Sequence, residues 1–238
     1  MRVTGQSAFI LHSRAWRETS LLLEAFTRDF GRVGLVARGV RGARARLPRS
    51  LLEPMQALRL DWSGRGELQT LAAVEPDGAA HALHGDRLLA AMYVNELLVR
   101  LTARDDPHPT LFSHYAALLD ELAGTDSLAW RLRRFERDLL AAIGYALQLE
   151  ATADTAESLD PARDYDYLPE QGPIAAHPSA MGVRVRGSAL IALASDRMPD
   201  ESEDLVALRR LMRASIGVLV GERGLQSWRV LARLGGRP

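Results

Sequence analysis

The first 75 residues alternate short aliphatic runs with turn residues. Gln6–Ser13, Thr19–Thr27, Arg32–Ala37, Met55–Trp62 and Glu67–Val74 are such runs, and several alternate in part, as Leu58, Leu60 and Trp62 do. That is the period of a half-buried strand. Arg28-Asp29-Phe30-Gly31 ends the second run, and Ser63-Gly64-Arg65-Gly66 separates the fourth from the fifth as in a hairpin. Five short strands predict a small barrel, for which the OB type is the commonest five-stranded solution.

After Pro76-Asp77-Gly78 the period changes. Asp86–Leu101 places Leu89, Met92, Tyr93, Glu96, Leu97 and Leu101 at helical spacing, and Leu111–Leu122 does the same with Phe112, Tyr115, Leu118, Leu119 and Leu122. Asp126 opens a third helix, whose stripe is Leu132, Phe135, Leu139, Leu140 and Ile143, with Arg131, Arg134 and Asp138 outside it. Pro107 and Pro109 stop the first helix and Gly124 the second, so three consecutive amphipathic helices predict a bundle. Glu150–Ser179 has no sustained period and four prolines, which predicts loop. Val183–Arg186 followed by Gly187 and Ala189–Leu193 predicts a hairpin. Asp200–Glu203 has capping-box spacing before a helix through Leu205, Leu208, Leu211, Met212, Ile216 and Leu219, and a last helix spans Leu225–Leu234. The expected architecture is α+β and multidomain: an OB-type barrel over 1–78, a helical domain beginning at 79–149, a loop-rich insertion with a hairpin over 150–198, and C-terminal helices over 199–238 that pack on the helical domain.

With 238 residues, 47% of them hydrophobic, the chain can bury a sizeable core without staples. It has none to use: cysteine is absent, which excludes disulfides, thiolate metal sites and a cysteine nucleophile. No apolar run approaches the ~20 residues that span a bilayer, and the N-terminus lacks a secretory signal, so a cytoplasmic protein without a membrane partner is expected. The 30 acids and 30 basic residues cancel, and every basic residue is arginine. Segments do not cancel: residues 1–80 carry 12 arginines against 8 acids, 81–160 carry 7 against 13, and 161–238 carry 11 against 9. From Phe30 to Leu52 there is no acid, and Arg32, Arg38, Arg41, Arg44, Arg46 and Arg49 fall within it. A basic patch sits on a neutral chain.

Motifs of catalysis are missing. The glycines at 31, 34, 39 and 42 fit neither G-x-x-x-x-G-K-[ST] nor G-x-G-x-x-G, there is no G-x-S-x-G, and the six histidines are scattered. His81 and His84 are three apart but lack a third ligand at metal-site spacing. Glu96, on a largely apolar helix, reads as a structural partner or helix-edge carboxylate in preference to a buried catalytic acid. No enzyme activity, cofactor or metal is expected.

The acid-free stretch is broken by Gly39, Gly42 and Pro48, so its arginines sit in a loop able to follow a sugar–phosphate backbone. Trp16 and Phe30 supply aromatic rings nearby. OB barrels bind single strands with a positive groove and stacking platforms, which makes Arg14, Trp16, Arg17, Phe30, Arg32, Arg38, Arg41, Arg44, Arg46 and Arg49 the candidate DNA-binding residues. The same residues also suit a solvated loop with Trp16 and Phe30 capping the barrel.

With those residues laid out, the chain resembles the RecO family of bacterial recombination mediators along nearly its whole length. The resemblance rests on Ala8-Phe9-Ile10-Leu11, Arg17-Glu18-Thr19-Ser20-Leu21-Leu22-Leu23, Phe26-Thr27, Gly31-Arg32 and Ala37-Arg38-Gly39-Val40-Arg41. Leu51 with Pro54, Gly66-Glu67-Leu68, Asn95-Glu96-Leu97, Leu111-Phe112 with Tyr115, and Arg134-Phe135-Glu136 running to Gly144-Tyr145 extend it. It implies an N-terminal OB domain, a helical domain and a non-enzymatic role in repair. That role comprises binding single- and double-stranded DNA, annealing complementary strands, engaging the C-terminal tail of single-stranded-DNA-binding protein and, with RecR, helping RecA load onto coated DNA in the cytoplasm at the nucleoid. Some members carry a four-cysteine zinc site after the Gly-Tyr motif; here Glu150–Thr155 offers no cysteine, so zinc is not carried over. An acidic tail ending in an aromatic residue needs arginine beside an apolar hollow. Arg131, Arg133, Arg134 and Arg137 on the third helix, or Arg209, Arg210 and Arg213 on the late one, are the candidates. Two other readings remain open: an OB-fold RNA-binding translation or ribosome-assembly factor, and a hydrolase assembled from distant residues.

Overall fold

A computed structural model describes residues 1–40, 47–124, 127–177 and 181–235, the side chains of 231–235 excepted. Its residues group into two compact units, Met1–Thr125 with Leu225–Pro238, and Asp126–Gly224. These cuts differ from the boundaries at 78, 149 and 198 expected from sequence.

In the first unit, strands β1 (Arg2–Trp16), β2 (Ser20–Thr27), β3 (Gly31–Ala37), β4 (Ala57–Ser63) and β5 (Leu68–Pro76) close into a barrel in the order β1-β2-β3-β5-β4. All pairings are antiparallel except β3 with β5. The long β1 serves both neighbours because its register breaks twice, between Val3 and Gln6 and between Ile10 and His12. Such bulges bend a strand, and closure needs the bend. Ile10, Leu23, Leu35, Leu58, Leu60 and Trp62 fill the interior. A 3-10 turn, Arg49–Leu52, adds Leu52 to that core, with Leu47 and Leu51 against it. β2 alternates poorly in sequence because both its faces are covered, Leu23 inside the barrel and Phe26 outside.

Helices α1 (Gly85–Leu101) and α2 (Pro109–Leu122) supply the outer cover. Phe9 and Phe26 of the barrel meet Phe112 and Tyr115 of α2 with ring centroids 5.0–6.2 Å apart. Within this apolar contact the Tyr115 hydroxyl donates to Asn95 Oδ1 (2.6 Å), and Asn95 Nδ2 donates to the Leu11 carbonyl (3.1 Å). One buried chain of bonds thus joins α2, α1 and β1. Burial raises the Tyr115 pKa far above its ordinary value, with the bond to Asn95 opposing, so the hydroxyl stays a donor. Helix α6 (Gln226–Gly235) returns to α1. Its Gln226 and Ser227 N–H groups donate to the Glu96 carboxylate at 2.6 and 2.8 Å. Glu96 is therefore a cap supplied from 130 residues away, satisfying donors that a helix start leaves orphaned.

In the second unit, α3 (Leu128–Ala142) packs on α5 (Ser202–Val220). Ser127 caps α3, accepting from the Trp130 N–H; Asp126, expected at this start, lies outside the described residues. Three expectations need correction. The stretch after 150 contains strands β6 (Asp164–Leu168) and β7 (Gly172–Ala175), which with β8 (Val183–Arg186) form a sheet ordered β7-β6-β8. Strands of four or five residues are too short to display a period, and Pro173 is tolerated because β7 is an edge. The expected second hairpin arm is helix α4 (Gly187–Ala194), as its alanine and leucine content favours. The capping box at Asp200–Glu203 does not form: α5 has Glu201 at its N-cap with no side-chain cap bond, and Asp204 accepts from Ser188.

Candidate nucleic-acid interface

The candidate arginines divide between two ends of the barrel. Register rows run Trp16 to Ser20 and Arg14 to Leu22 to Val36, with Leu21 opposite Ala37. Since Leu21, Leu23, Leu35 and Ala37 point into the core, Arg14 and Trp16 lie on the outer face. Arg38, one residue beyond β3, continues the Trp16 row about 10 Å away, two strand spacings. Arg14 stacks over the Trp16 ring at 5.8 Å. Arg17, at φ +53°, occupies the β1–β2 turn. Arg14, Arg17 and Arg38 are all exposed, and Trp16 is half-buried.

The residues on either side of 41–46 are held by the barrel. Val40 donates its N–H to the Thr19 carbonyl (3.0 Å), and Val40 and Leu47 both pack on the barrel core. Arg41, Arg44 and Arg46 lie between these anchors, outside the described residues. Arg49 follows on the 3-10 turn, exposed, with Glu53 at 4.0 Å in a pair that solvent weakens.

The remaining two candidates are elsewhere. Phe30 and Arg32 sit near the start of β3, about 20 Å along the strand from Arg38. Phe30 meets Trp62 edge-on at 5.5 Å and packs against the barrel core, which is the capping role. Arg32 is mostly buried, donates to Glu24 (2.7 Å) and to the Thr102 carbonyl (2.9 and 3.3 Å), and shares Glu24 with Arg104. A guanidinium so committed has little left for a phosphate. Its surroundings explain Gly31: at φ +64°, a side chain there would also collide with the Asp106 carbonyl.

The arginines of α3 are similarly sorted. Arg133 is buried against Glu136 (2.6 Å), an ion pair that sequence did not foresee. Arg134 makes a two-pronged bond to Asp196 (2.8 and 2.9 Å), and Arg137 bonds Asp138 and the Leu193 carbonyl. Arg131 and Arg134 border a hollow of about 380 Å³ with Ser127, Trp130 and Met198. Sequence reasoning missed Trp130 and Met198; Trp130, Arg131 and Arg134, at i, i+1 and i+4, were the available signal. Arg209, Arg210 and Arg213 of α5 are exposed, and none of them lines that hollow. His81 lies 3.7 Å from Asp120, and His84 is the N-cap of α1. Among the described residues no helix is long and apolar enough to cross a membrane.

Against known proteins, residues 1–78 match the family model for the recombination protein O N terminal, and 83–228 that for the recombination protein O C terminal. The chain is similar to a "DNA repair protein RecO" of Xanthomonas euvesicatoria pv. vesicatoria, 43% identical over the whole of both chains. It is 42% identical to one of Stenotrophomonas maltophilia, again over the whole of both.

Proposed function

Because the chain belongs to the RecO family of DNA repair proteins, we propose that it binds single- and double-stranded DNA and anneals complementary strands, and that with RecR it helps RecA load onto DNA coated by single-stranded-DNA-binding protein. The observation that carries this reading is the grouping of Arg14, Trp16, Arg17 and Arg38 at the barrel end where Val40 bonds the Thr19 carbonyl. Annealing needs no nucleotide hydrolysis and no reaction centre. Base pairing supplies the driving force, and the arginines offset repulsion between two phosphate backbones. The Arg14–Trp16 pair suits a strand's edge, offering a charge to phosphate and a ring to a base. Such a protein works in the cytoplasm, at the nucleoid.

We assign the tail of single-stranded-DNA-binding protein to the hollow at Trp130, Met198 and Arg131, where an aromatic end group meets apolar walls and a carboxylate meets the Arg131 guanidinium; Arg134 borders the hollow but is held by Asp196. Arg131→Glu should lower the affinity of a labelled tail peptide at least tenfold in fluorescence anisotropy while naked-DNA affinity holds; equal loss of both refutes a separate site. The overall reading is tested by annealing complementary oligonucleotides coated with the single-strand-binding protein, without nucleotide. Acceleration over the protein-free rate is expected, and none would overturn it.

A further inference from the structure

A second hollow in the 126–224 unit, about 300 Å³, lies where the α3–β6 connection, the β6–β7 turn and α5 meet. It is at the small end of ligand-sized cavities, with room for a ring. Ser215 lines it, 8% exposed, and its Oγ has no hydrogen-bond partner. Tyr167, also lining it and 2% exposed, accepts the Gln148 N–H at 3.0 Å through its hydroxyl oxygen. Burial pushes that phenol up to about 12, with the Gln148 bond opposing, so its proton stays on and is available to donate. Leu140 and Leu219 give apolar wall, and Tyr145, 51% exposed, stands at the hollow with an aromatic ring open to solvent. Gln171 adds an amide, and among the described residues Glu170 is the single charge of the lining.

These groups select by elimination. Among the described residues, a phosphate or carboxylate finds no cation in the lining and one carboxylate against it. A guanidinium or ammonium group suits Glu170 but has no acceptor for the Tyr167 proton. What remains is a neutral ligand with an acceptor of its own, flat enough to lie on Tyr145. We propose that this hollow takes one unstacked nucleobase of a single strand, and that Glu170 favours bases with an exocyclic amino group. Cytosine carries that amino group as a donor where thymine carries a carbonyl acceptor, so cytosine is preferred among pyrimidines. The Gln148 and Gln171 amides, able to donate or accept, fit either edge and set no preference themselves. This inference rests on the DNA-binding reading, yet it concerns residues of the 126–224 unit and none of the barrel arginines: a base held here would be kept out of the stack.

Free nucleosides test it, because they lack the phosphates that the barrel needs. Saturation-transfer NMR and competition titrations of the full chain with deoxycytidine and thymidine should show both binding, deoxycytidine several-fold more tightly. Tyr145→Ala should weaken deoxycytidine about tenfold, as loss of a stacking partner does. Glu170→Gln should bring the two pyrimidines level without unfolding an exposed turn. Arg14→Gln/Arg38→Gln should leave nucleoside binding unchanged while lowering affinity for single strands. No saturation transfer from any nucleoside at millimolar concentration, or binding insensitive to Tyr145→Ala and Glu170→Gln, overturns the base site and leaves the barrel reading standing. Nucleoside binding alongside salt-independent strand binding refutes the barrel reading and supports the pocket.

Discussion

Salt dependence separates the arginines of the barrel by the job each performs. If about five arginines contact phosphates, the log–log slope of single-strand affinity against salt is about −3.5, and raising salt from ~50 to ~200 mM costs on the order of a hundredfold in affinity. Arg14 and Arg38 share the outer face of one barrel end. Replacing both with Gln removes two contacts, so the slope falls to about −2.1 and the same salt step costs roughly twentyfold. Arg32→Gln is the internal control. Its guanidinium is held by Glu24 and the Thr102 carbonyl, so the slope should stay at the wild-type value. The change should appear in stability: Glu24 keeps Arg104 but loses a largely buried partner, a cost of about 1–3 kcal/mol. Fluorescence anisotropy with labelled oligo-dT at four salt concentrations gives the slopes, and thermal melts give the stabilities. If Arg32→Gln flattens the slope as one phosphate contact would, or if Arg14→Gln/Arg38→Gln leaves it unchanged, the division of the barrel into a DNA-facing end and a structural end is wrong.

Three further outcomes follow from buried polar contacts. Tyr115→Phe should cost about 1–3 kcal/mol in a urea melt, because it leaves Asn95 Oδ1 unpaired inside the barrel–helix contact, and should not alter the salt slope. Glu96→Ala should cost about 1–2 kcal/mol and speed amide exchange at the start of α6, whose first N–H groups lose their cap; unchanged exchange at Gln226 and Ser227 would contradict the capping role. The third outcome concerns acid. Hydrogen bonding from Arg184 holds the Asp166 carboxyl below its ordinary value, against the opposing effect of burial and with help from the His177 N–H. A depressed folded pKa means that the unfolded chain binds the proton first. The stabilisation is therefore complete above the ordinary aspartate range of about 4 and is lost as pH falls through the folded value. Melting temperatures between pH 5 and pH 3 should drop less steeply for Asp166→Asn than for the wild type, and parallel curves would dismiss the linkage.

The barrel was legible because its signals are local. Alternation at Leu58, Leu60 and Trp62 and the turn at Arg28–Gly31 report on neighbours within a few residues, and the strands follow them closely. The short sheet of the second unit was not: β7 is four residues long and contains a proline that only an edge position excuses. Glu96 looked unusual in sequence, yet nothing nearby tells that its carboxylate caps a helix more than a hundred residues later. The same distance hid the fate of the arginines. Arg32 and Arg38 are six residues apart in one acid-free stretch, but Glu24 and the Thr102 carbonyl reach the first, and the second is exposed beyond the strand end.

By itself, then, the sequence determined the barrel strands, the longer helices, the family and the surplus of positive charge at the N-terminal end of a neutral chain, since periodicity, motif and charge are properties of the chain. Tertiary structure alone decided which of those charges face outward. A guanidinium is neutralised or left exposed by whatever carboxylates and carbonyls folding brings within about 3 Å, and those partners come from any distance along the chain.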